Sequence, residues 1–450
     1  MYTTHSMNQY KTFIFDSYAF DKAKRTISLV YKLDDAVTFT ETITLPADLH
    51  IQDHPDLDSA LFALHLMGGI SYYKTCLPKA IDIRSGSLSE KQTSFWNDVY
   101  ENGLGEFFYR NDIDFSGLIH FPSTGNKPTI NKSESKKDGN KRVLIPIGGG
   151  KDSLVTTELL KKGGSDCTLL RIGQHQLIDT MANEAQLPLL NVKRALAPEL
   201  FTLNADGALN GHVPITGYIH FLSVIIGLLG GYGYVAFSNE ESAEEGNVEF
   251  HGKQINHQWS KSLAFEQMFQ AYVADCVTKD VTCFSMLRTL SELKIAELFC
   301  EHRQYLPLAT SCNRNWQILS KDPNRPRWCG DCPKCAFAFA LFAAFLPKND
   351  LEGVFNGNLF EDESLLPLYR ELLGVTGHKP FECVGTPEET AAAFVMAHNR
   401  GELEDTAAMK MFLDDVMPEI IEPDEIIGEA MLQRPKHAIP DQFLPLLKNL

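Results

Sequence analysis

Strand-like apolar runs open the chain. KTFIFDSYAF, TISLVYKL and TFTETITL lie within residues 11–46, separated by short charged turns, and predict a small antiparallel sheet. Residues 58–75 (LDSALFALHLMGGISYYK) read as a buried helix, and residues 91–121 are mixed. Spacing alone makes no chemistry legible in this N-terminal part.

The pattern then breaks. Residues 122–142 (PSTGNKPTINKSESKKDGNKR) are polar and rich in Pro, Gly, Ser and Lys, the composition of a linker. Beyond it strands and helices alternate. Val143–Ile147 (VLIPI) is a continuous apolar strand, followed by a glycine-rich turn and a helix over Asp152–Lys162. Strand Cys167–Ile172, helix Ile178–Gln186, strand Pro188–Val192, helix Pro214–Leu229 and strand Tyr234–Phe237 follow. Such alternation predicts an α/β fold with a parallel sheet covered by helices on both faces. Ligands of such sheets sit at the carboxyl ends of the strands. Residues 262–275 and 289–302 are further amphipathic helices, 312–335 hold a cysteine cluster, and Ala336–Leu346 is an apolar helix. The expected organisation is an N-terminal α+β domain (1–121), a linker (122–142), a nucleotide-type domain (143–311), a cysteine segment with its packing helix (312–347) and a largely helical, acidic region (348–450).

Composition narrows the class. The 450 residues are 44% hydrophobic and 22% charged, a globular balance. Lys and Arg total 41 against 58 Asp and Glu, a net charge of −17, which lowers the expectation of nucleic acid as a partner. The first residues carry neither a basic segment nor an apolar core, so no signal peptide is expected. Tyr218–Phe237 is long enough to span a bilayer, but its Gly230-Gly231-Tyr232-Gly233 breaker predicts a buried helix, a turn and a strand. No membrane partner is expected. With no secretion signal, clustered cysteines read as a metal site rather than as disulfides.

Two motifs carry chemistry. In VLIPIGGGKDS a strand runs into Gly148-Gly149-Gly150-Lys151-Asp152-Ser153, and a helix begins at once. Glycines let the backbone approach an anion, and the helix N-terminus supplies free N–H groups. Lys151 adds a charge, Ser153 a hydroxyl, and Asp152 caps the helix or orients the loop. The spacing fits neither a Walker A nor a Rossmann fingerprint. It resembles the S-G-G-x-D-S loop of the PP-loop ATP pyrophosphatases, with Gly148 where that family has Ser. The second motif is Cys312 with Cys329, Cys332 and Cys335, in a C-x2-C-x2-C run. Four thiolates suit a structural Zn²⁺, and the arrangement is similar to the zinc site of the PP-loop 7-cyano-7-deazaguanine synthases. An iron–sulfur cluster is the alternative. Cys76, Cys167, Cys276, Cys283 and Cys300 are scattered in apolar segments and read as packed thiols.

Further polar clusters sit around these motifs. LNGHVPIT puts Asn210 and His212 at the mouth of the sheet, or caps the following helix. In SNEESAEEGN, Asn239 and Glu240 directly follow a strand, and Glu240, Glu241, Glu244 and Glu245 are candidates for Mg²⁺; a solvated loop is the alternative. In NHQWSKS, His257 is a candidate proton-transfer group, and Lys261 opposes the dipole of the next helix. Arg288 precedes a helix and is a candidate anion clamp. HKPFECVG brings together His378, Lys379, Glu382 and Cys383, the last either a proton shuttle or a packed thiol.

Taken together, GGGKDS, LNGHVPIT, SNEESAEEGN, NHQWSKS, RWCGDCPKC and HKPFECVG, with FIFDSY, SYYK and GLGEFFYRN nearer the start, resemble the UDP-N-acetyl-α-D-muramoyl-L-alanyl-L-glutamate epimerases of bacterial peptidoglycan synthesis. The resemblance covers about residues 12–390. It implies a PP-loop (adenine nucleotide alpha hydrolase-like) sheet and an ATP- and Mg²⁺-dependent cytoplasmic enzyme. The reaction implied inverts the terminal L-Glu of UDP-MurNAc-L-Ala-L-Glu through an acyl-adenylate and releases AMP and pyrophosphate. It also implies structural Zn²⁺, a small-molecule UDP-sugar dipeptide substrate, and a companion ligase that adds L-Glu to UDP-MurNAc-L-Ala. Expected catalytic residues are His257, Lys261, Lys151 and Asp152. Gly148, Gly149, Gly150, Lys151, Asp152 and Ser153 are expected to hold the nucleotide, and His212, Asn239, Glu240, Arg288, His378 and Lys379 the substrate. A PP-loop enzyme that amidates or thiolates a nucleobase or tRNA is the alternative, and a catalytically silent ATP-binding protein is a third reading.

Overall fold

The computed structural model describes residues 9–125, 141–316, 326–448 and 450. Most of the expected linker therefore lies outside the described residues, as does part of the segment between Cys312 and Cys329.

A nine-stranded sheet organises the chain. Strands β1 (Thr12–Asp21), β2 (Thr26–Leu33) and β3 (Val37–Thr44) form an antiparallel meander, and β4 (Ala80–Ile83) pairs parallel to β1 at the edge. Strands β5 (Val143–Pro146), β6 (Cys167–Ile172), β7 (Leu189–Ala195) and β8 (Tyr234–Phe237) are parallel. A small hairpin, β9 (Val248–Phe250) and β10 (Lys253–Ile255), stands apart, and β11 (Thr282–Ser285) extends the parallel half beyond β8. The spatial order is β11-β8-β5-β6-β7-β3-β2-β1-β4. The fold is mixed α/β with a large, parallel-rich sheet.

Burial explains both halves. The meander is half-buried: β2 alternates between buried and intermediate positions along its whole length, as expected of an antiparallel strand with one dry face. Val143, Leu144 and Ile145 of β5 are all fully buried. Val143 and Ile145 join one apolar core and Leu144 the other, because alternate side chains of a strand point to opposite faces. One core holds the helices of the C-terminal region. The other holds the meander and the helices Leu57–Tyr73 and Ile215–Gly230.

Helix Leu57–Tyr73 lies unusually close to the meander. A Cβ on Gly69 would stand 2.3 Å from the Phe15 ring, and one on Gly68 2.5 Å from the Tyr31 hydroxyl, so only glycine fits that approach. The apolar stretch Tyr218–Phe237 resolves into helix Ile215–Gly230, Gly231 in the left-handed region and β8. Among the described residues, no helix is long and apolar enough to cross a membrane.

The antiparallel and parallel halves meet edge to edge. Thr42, Ile43 and Thr44 of β3 pair with Ala195, Arg194 and Lys193 of β7. This junction is why β7 runs to Ala195, three residues beyond the strand expected over Pro188–Val192. A buried charge network locks it. Arg194 donates from Nε and Nη2 to the Glu41 carboxylate at 2.8 and 3.0 Å, and the Tyr72 and Tyr218 hydroxyls donate to it at 2.9 and 2.7 Å. The Glu41 side chain is fully buried.

Removing one partner of a buried ion pair leaves the other charge uncompensated, at a cost of about 3–5 kcal/mol. Glu41→Ala is therefore expected to lower unfolding stability by about that amount in urea titrations. The double variant Glu41→Leu with Arg194→Met is expected to recover most of the loss.

Candidate active site

The loop after β5 is built as the sequence suggests. Gly149 has φ +88°, a conformation that favours glycine. The Thr310 N–H donates to the Gly149 carbonyl at 2.9 Å and fastens the loop to the segment leading to Cys312. Helix Lys151–Lys162 starts at once, and among the described residues no side chain caps it at Gly150. Its first N–H groups and positive dipole end therefore suit an anion.

A cavity of about 600 Å³ opens at this end of the parallel strands. Gly148, Gly150, Asp152 and Ser153 line it, with Arg171, Arg194, Asn239, Lys261, Ser311, Asn313 and Lys334. Lys151 is not among the lining residues. Its ammonium is buried, 2.5 Å from Asp152 and hydrogen-bonded to Glu292. Burial opposes its charge, but Asp152 and Glu292 hold its pKa above the ordinary lysine value. Glu292 lies wholly inside the protein, and burial pushes its carboxyl up to about 8.

Asn239 donates to Ser285 Oγ at 2.9 Å. Glu240 is 2% exposed, and among the described residues its Oε1 has no hydrogen-bond partner. Arg288 does not line the cavity. It donates to the carbonyls of Glu240, at 2.6 Å, and Lys261, at 2.5 Å, and pairs with Glu266 at 2.9 Å, so it fixes the two cavity segments from behind. Lys379 pairs with Glu245 at 2.9 Å, and His378 is exposed; neither lines the cavity.

Behind Lys261 stands a cluster drawn from distant parts of the chain. His257 Nδ1 is 2.5 Å from Glu106 Oε2, and His212 Nδ1 is 3.3 Å from the same oxygen. Two nitrogen or oxygen ligands of one tetrahedral ion with bonds of about 2.05 Å stand about 3.3 Å apart. The shorter contact therefore reads as a hydrogen bond. The two imidazoles are pushed apart: burial and the charge of His257 lower His212 to about 4. Burial opposes charge on His257 too, but its hydrogen bonds to Cys383 and Glu106 raise it to about 9. Burial pushes the Cys383 thiol up, but Lys261, Lys334 and His257 hold it well below its ordinary value. Widely separated values in touching groups are a signature of acid/base chemistry.

The four cysteines converge. Sγ separations are 4.0 Å for Cys312–Cys332, 3.6 Å for Cys329–Cys335 and 3.5 Å for Cys332–Cys335. Four thiolates at about 2.3 Å from one ion stand about 3.8 Å apart, so the donor set fits a single tetrahedral ion such as zinc. A cluster spreads its thiolates over several irons and needs wider spacing. Ser311, Asn313 and Lys334 flank these cysteines in sequence, so the cysteine cluster borders one cavity wall.

Sequence reasoning missed Glu106. Its signal is a single carboxylate in the apolar run Gly105–Phe108, and the structure buries it to 5% exposure. Cys383 was legible only as one of two options, and Lys334 was not singled out.

The comparisons with known proteins agree along the chain. The MurL N-terminal domain family matches residues 4–286, and the MurL C-terminal domain family matches residues 308–426. A protein of Xanthomonas oryzae pv. oryzae named UDP-N-acetyl-alpha-D-muramoyl-L-alanyl-L-glutamate epimerase is 39% identical over 96% of both chains. The chain belongs to this epimerase family. Proteins of the same name from Micromonospora sp. and Salinispora tropica are 34% and 37% identical, over 97% of both chains and over 90% of this chain and 88% of the relative. The site draws on both epimerase-family domains: Glu106, His212, His257 and Lys261 lie in the first match, the cysteine cluster and Cys383 in the second.

Elemental analysis is expected to find one zinc ion per chain. Cys329→Ala should lose it and lower unfolding stability by about 3 kcal/mol or more. His257 has its own pH signature. Its folded pKa lies above the unfolded value of about 6.5, so its pairing stabilises fully below about pH 6.5 and is lost as pH rises through about 9. The urea-stability gap between the wild type and His257→Asn is therefore expected to shrink by about 3 kcal/mol from pH 6 to pH 10.

Proposed function

We propose that the chain epimerises the terminal L-Glu of UDP-MurNAc-L-Ala-L-Glu to D-Glu in the cytoplasm, for peptidoglycan precursor synthesis. The observation that carries this reading is the meeting of an anion-ready glycine loop and an acid/base cluster around Lys261. The names of the full-length relatives support it. The loop and strand arrangement support a PP-loop ancestry.

Chemistry explains why both parts are needed. The α-proton beside a free carboxylate is very weakly acidic, because its removal builds a second negative charge. ATP with Mg²⁺ supplies activation: the carboxylate becomes an acyl-adenylate, and pyrophosphate leaves. If this lowers the α-proton pKa by roughly 10 units, about 14 kcal/mol leaves the deprotonation cost. Water then cleaves the adenylate, giving AMP.

In this reading Gly148, Gly149, Gly150 and Ser153 hold the phosphates. Asp152 and Lys151, locked to Glu292, keep the loop in shape. The orphaned, buried Glu240 oxygen fits Mg²⁺. His257 and Lys261 carry the acid/base work at Cα. Asn239 meets the substrate directly, Arg288 acts by holding Glu240 and Lys261, His212 acts through Glu106, and His378 and Lys379, which lie outside the cavity, take no substrate contact there. The cysteine site holds structural zinc, and a ligase adding L-Glu to UDP-MurNAc-L-Ala supplies the substrate.

The test is incubation with ATP, Mg²⁺ and UDP-MurNAc-L-Ala-L-Glu in deuterated water, with chiral analysis of the glutamate and mass readout. D-Glu carrying one deuterium, together with AMP, is expected. Asp152→Ala is expected to lower AMP formation about 100-fold, or about 2.7 kcal/mol. AMP without D-Glu overturns the substrate, and neither product overturns the reading.

A further inference from the structure

We propose that the Ser311 hydroxyl completes the phosphate site, as the side-chain donor that the glycine loop itself lacks. The proposal rests on the nucleotide half of the reading above and adds to it a residue from the segment leading to the cysteine cluster.

The loop's own side chains are engaged elsewhere. Lys151 turns its ammonium inward to Asp152 and Glu292, and Asp152 is an acceptor in that contact. The Ser153 hydroxyl donates back to the Gly150 carbonyl at 3.2 Å, which leaves its backbone N–H for a ligand. The three glycines offer N–H groups alone. An anion at this helix end therefore meets backbone donors, but no directed side-chain donor from the loop.

Ser311 fills that gap. It lines the cavity together with Gly148, Gly150 and Ser153. Among the described residues its hydroxyl has no hydrogen-bond partner. A Cβ on Gly150 would stand 3.0 Å from Ser311 Oγ, nearer than ordinary van der Waals contact. Gly150 itself has φ −87° and ψ 170°, a conformation open to any residue. Backbone geometry thus does not call for glycine at this position; the approach of the Ser311 hydroxyl does. A hydroxyl beside the free N–H groups of a helix start can add a charge-assisted hydrogen bond to a phosphate held there. Lys261 and Lys334 also line the cavity. They supply charge, and the hydroxyl supplies direction.

The segment is fastened on both sides of Ser311. The Thr310 N–H donates to the Gly149 carbonyl at 2.9 Å. The Thr310 hydroxyl donates to the Arg327 carbonyl at 2.6 Å and accepts from the Cys312 N–H at 3.1 Å. Cys312 then joins the cysteine cluster, its Sγ 4.0 Å from that of Cys332. Ser311 is held between loop and cluster, so little ordering remains for a ligand to impose. Gly148 offers the control. It lines the cavity, and among the described residues no atom lies within 4 Å of where its Cβ would be. A serine at that position would give the loop a hydroxyl of its own.

The test is calorimetric binding of α,β-methylene-ATP with Mg²⁺ to the full-length wild type, Ser311→Ala and the double variant Gly148→Ser with Ser311→Ala. The bridging carbon blocks cleavage between the α and β phosphorus atoms, so binding is read apart from turnover. Ser311→Ala is expected to weaken binding by about fivefold or more, as for a lost hydrogen bond to a charged group, and a smaller loss overturns the proposal. The double variant is expected to bind about threefold or more tighter than Ser311→Ala, and a smaller gain overturns Ser311 as the donor the loop lacks. Ligand-free melting temperatures separate contact from scaffold. Because the hydroxyl has no partner within the described chain, Ser311→Ala is expected to melt within about 2 °C of the wild type, and a larger drop overturns the proposal by making the residue structural. A wild type that binds no analogue overturns the nucleotide reading itself, and the phosphate site with it.

Discussion

The Glu41 carboxylate holds the molecule's two halves in register. Taking a carboxylate out of water costs several kcal/mol unless its oxygens are fully engaged. Here four donors meet it, two from Arg194 and one each from Tyr72 and Tyr218. They come from β7 and from the two helices packed beneath the sheet, so one carboxylate on β3 ties together every element at the junction. Arg194 also lines the cavity. The wall of the site and the antiparallel meander are therefore parts of one rigid assembly, and the meander has a role in the site without touching its centre.

The same logic runs through the site. Arg288, 1% exposed, spends its donors on Glu266 and on the carbonyls of Glu240 and Lys261. Asn247 binds the His257 loop to the segment before Cys383. The cysteine cluster fixes the residues beside Asn313 and Lys334. Buried polar groups of this kind are costly when left unpaired and rigidifying when satisfied. They restrict the cavity's charged side chains to defined positions, the preorganisation that proton transfer demands.

What the sequence made legible was local. The glycine loop announces itself because strand, turn and helix are contiguous, and the cysteines because two-residue spacers suit convergence on one ion. The helix-turn-strand reading of Tyr218–Phe237 came from a glycine cluster within the segment. What stayed hidden was pairing across distance. Glu41 and Arg194 are 153 residues apart, and Glu106 and His257 are 151 apart. Neither pair leaves a trace in local periodicity. Lys151 is the instructive case. A lysine in a phosphate loop suggests a phosphate contact, but Glu292, the first residue of helix Glu292–Glu301, takes its ammonium into the interior.

Net charge and site charge point in opposite directions. The chain carries −17, yet the cavity lining includes Arg171, Lys261 and Lys334, besides Arg194 already paired with Glu41, against Asp152 as the carboxylate among the described lining residues. At physiological salt, exposed charges are screened beyond about 8 Å, while groups in a low-dielectric cleft keep most of their field. A compact polyanion that enters the cavity meets the cations and little of the acidic exterior. An extended polyanion such as duplex nucleic acid would have to lie along many screening lengths of that exterior, with few cations to displace its counterions. An acidic net charge around a cationic cavity thus suits small phosphorylated ligands better than nucleic acids.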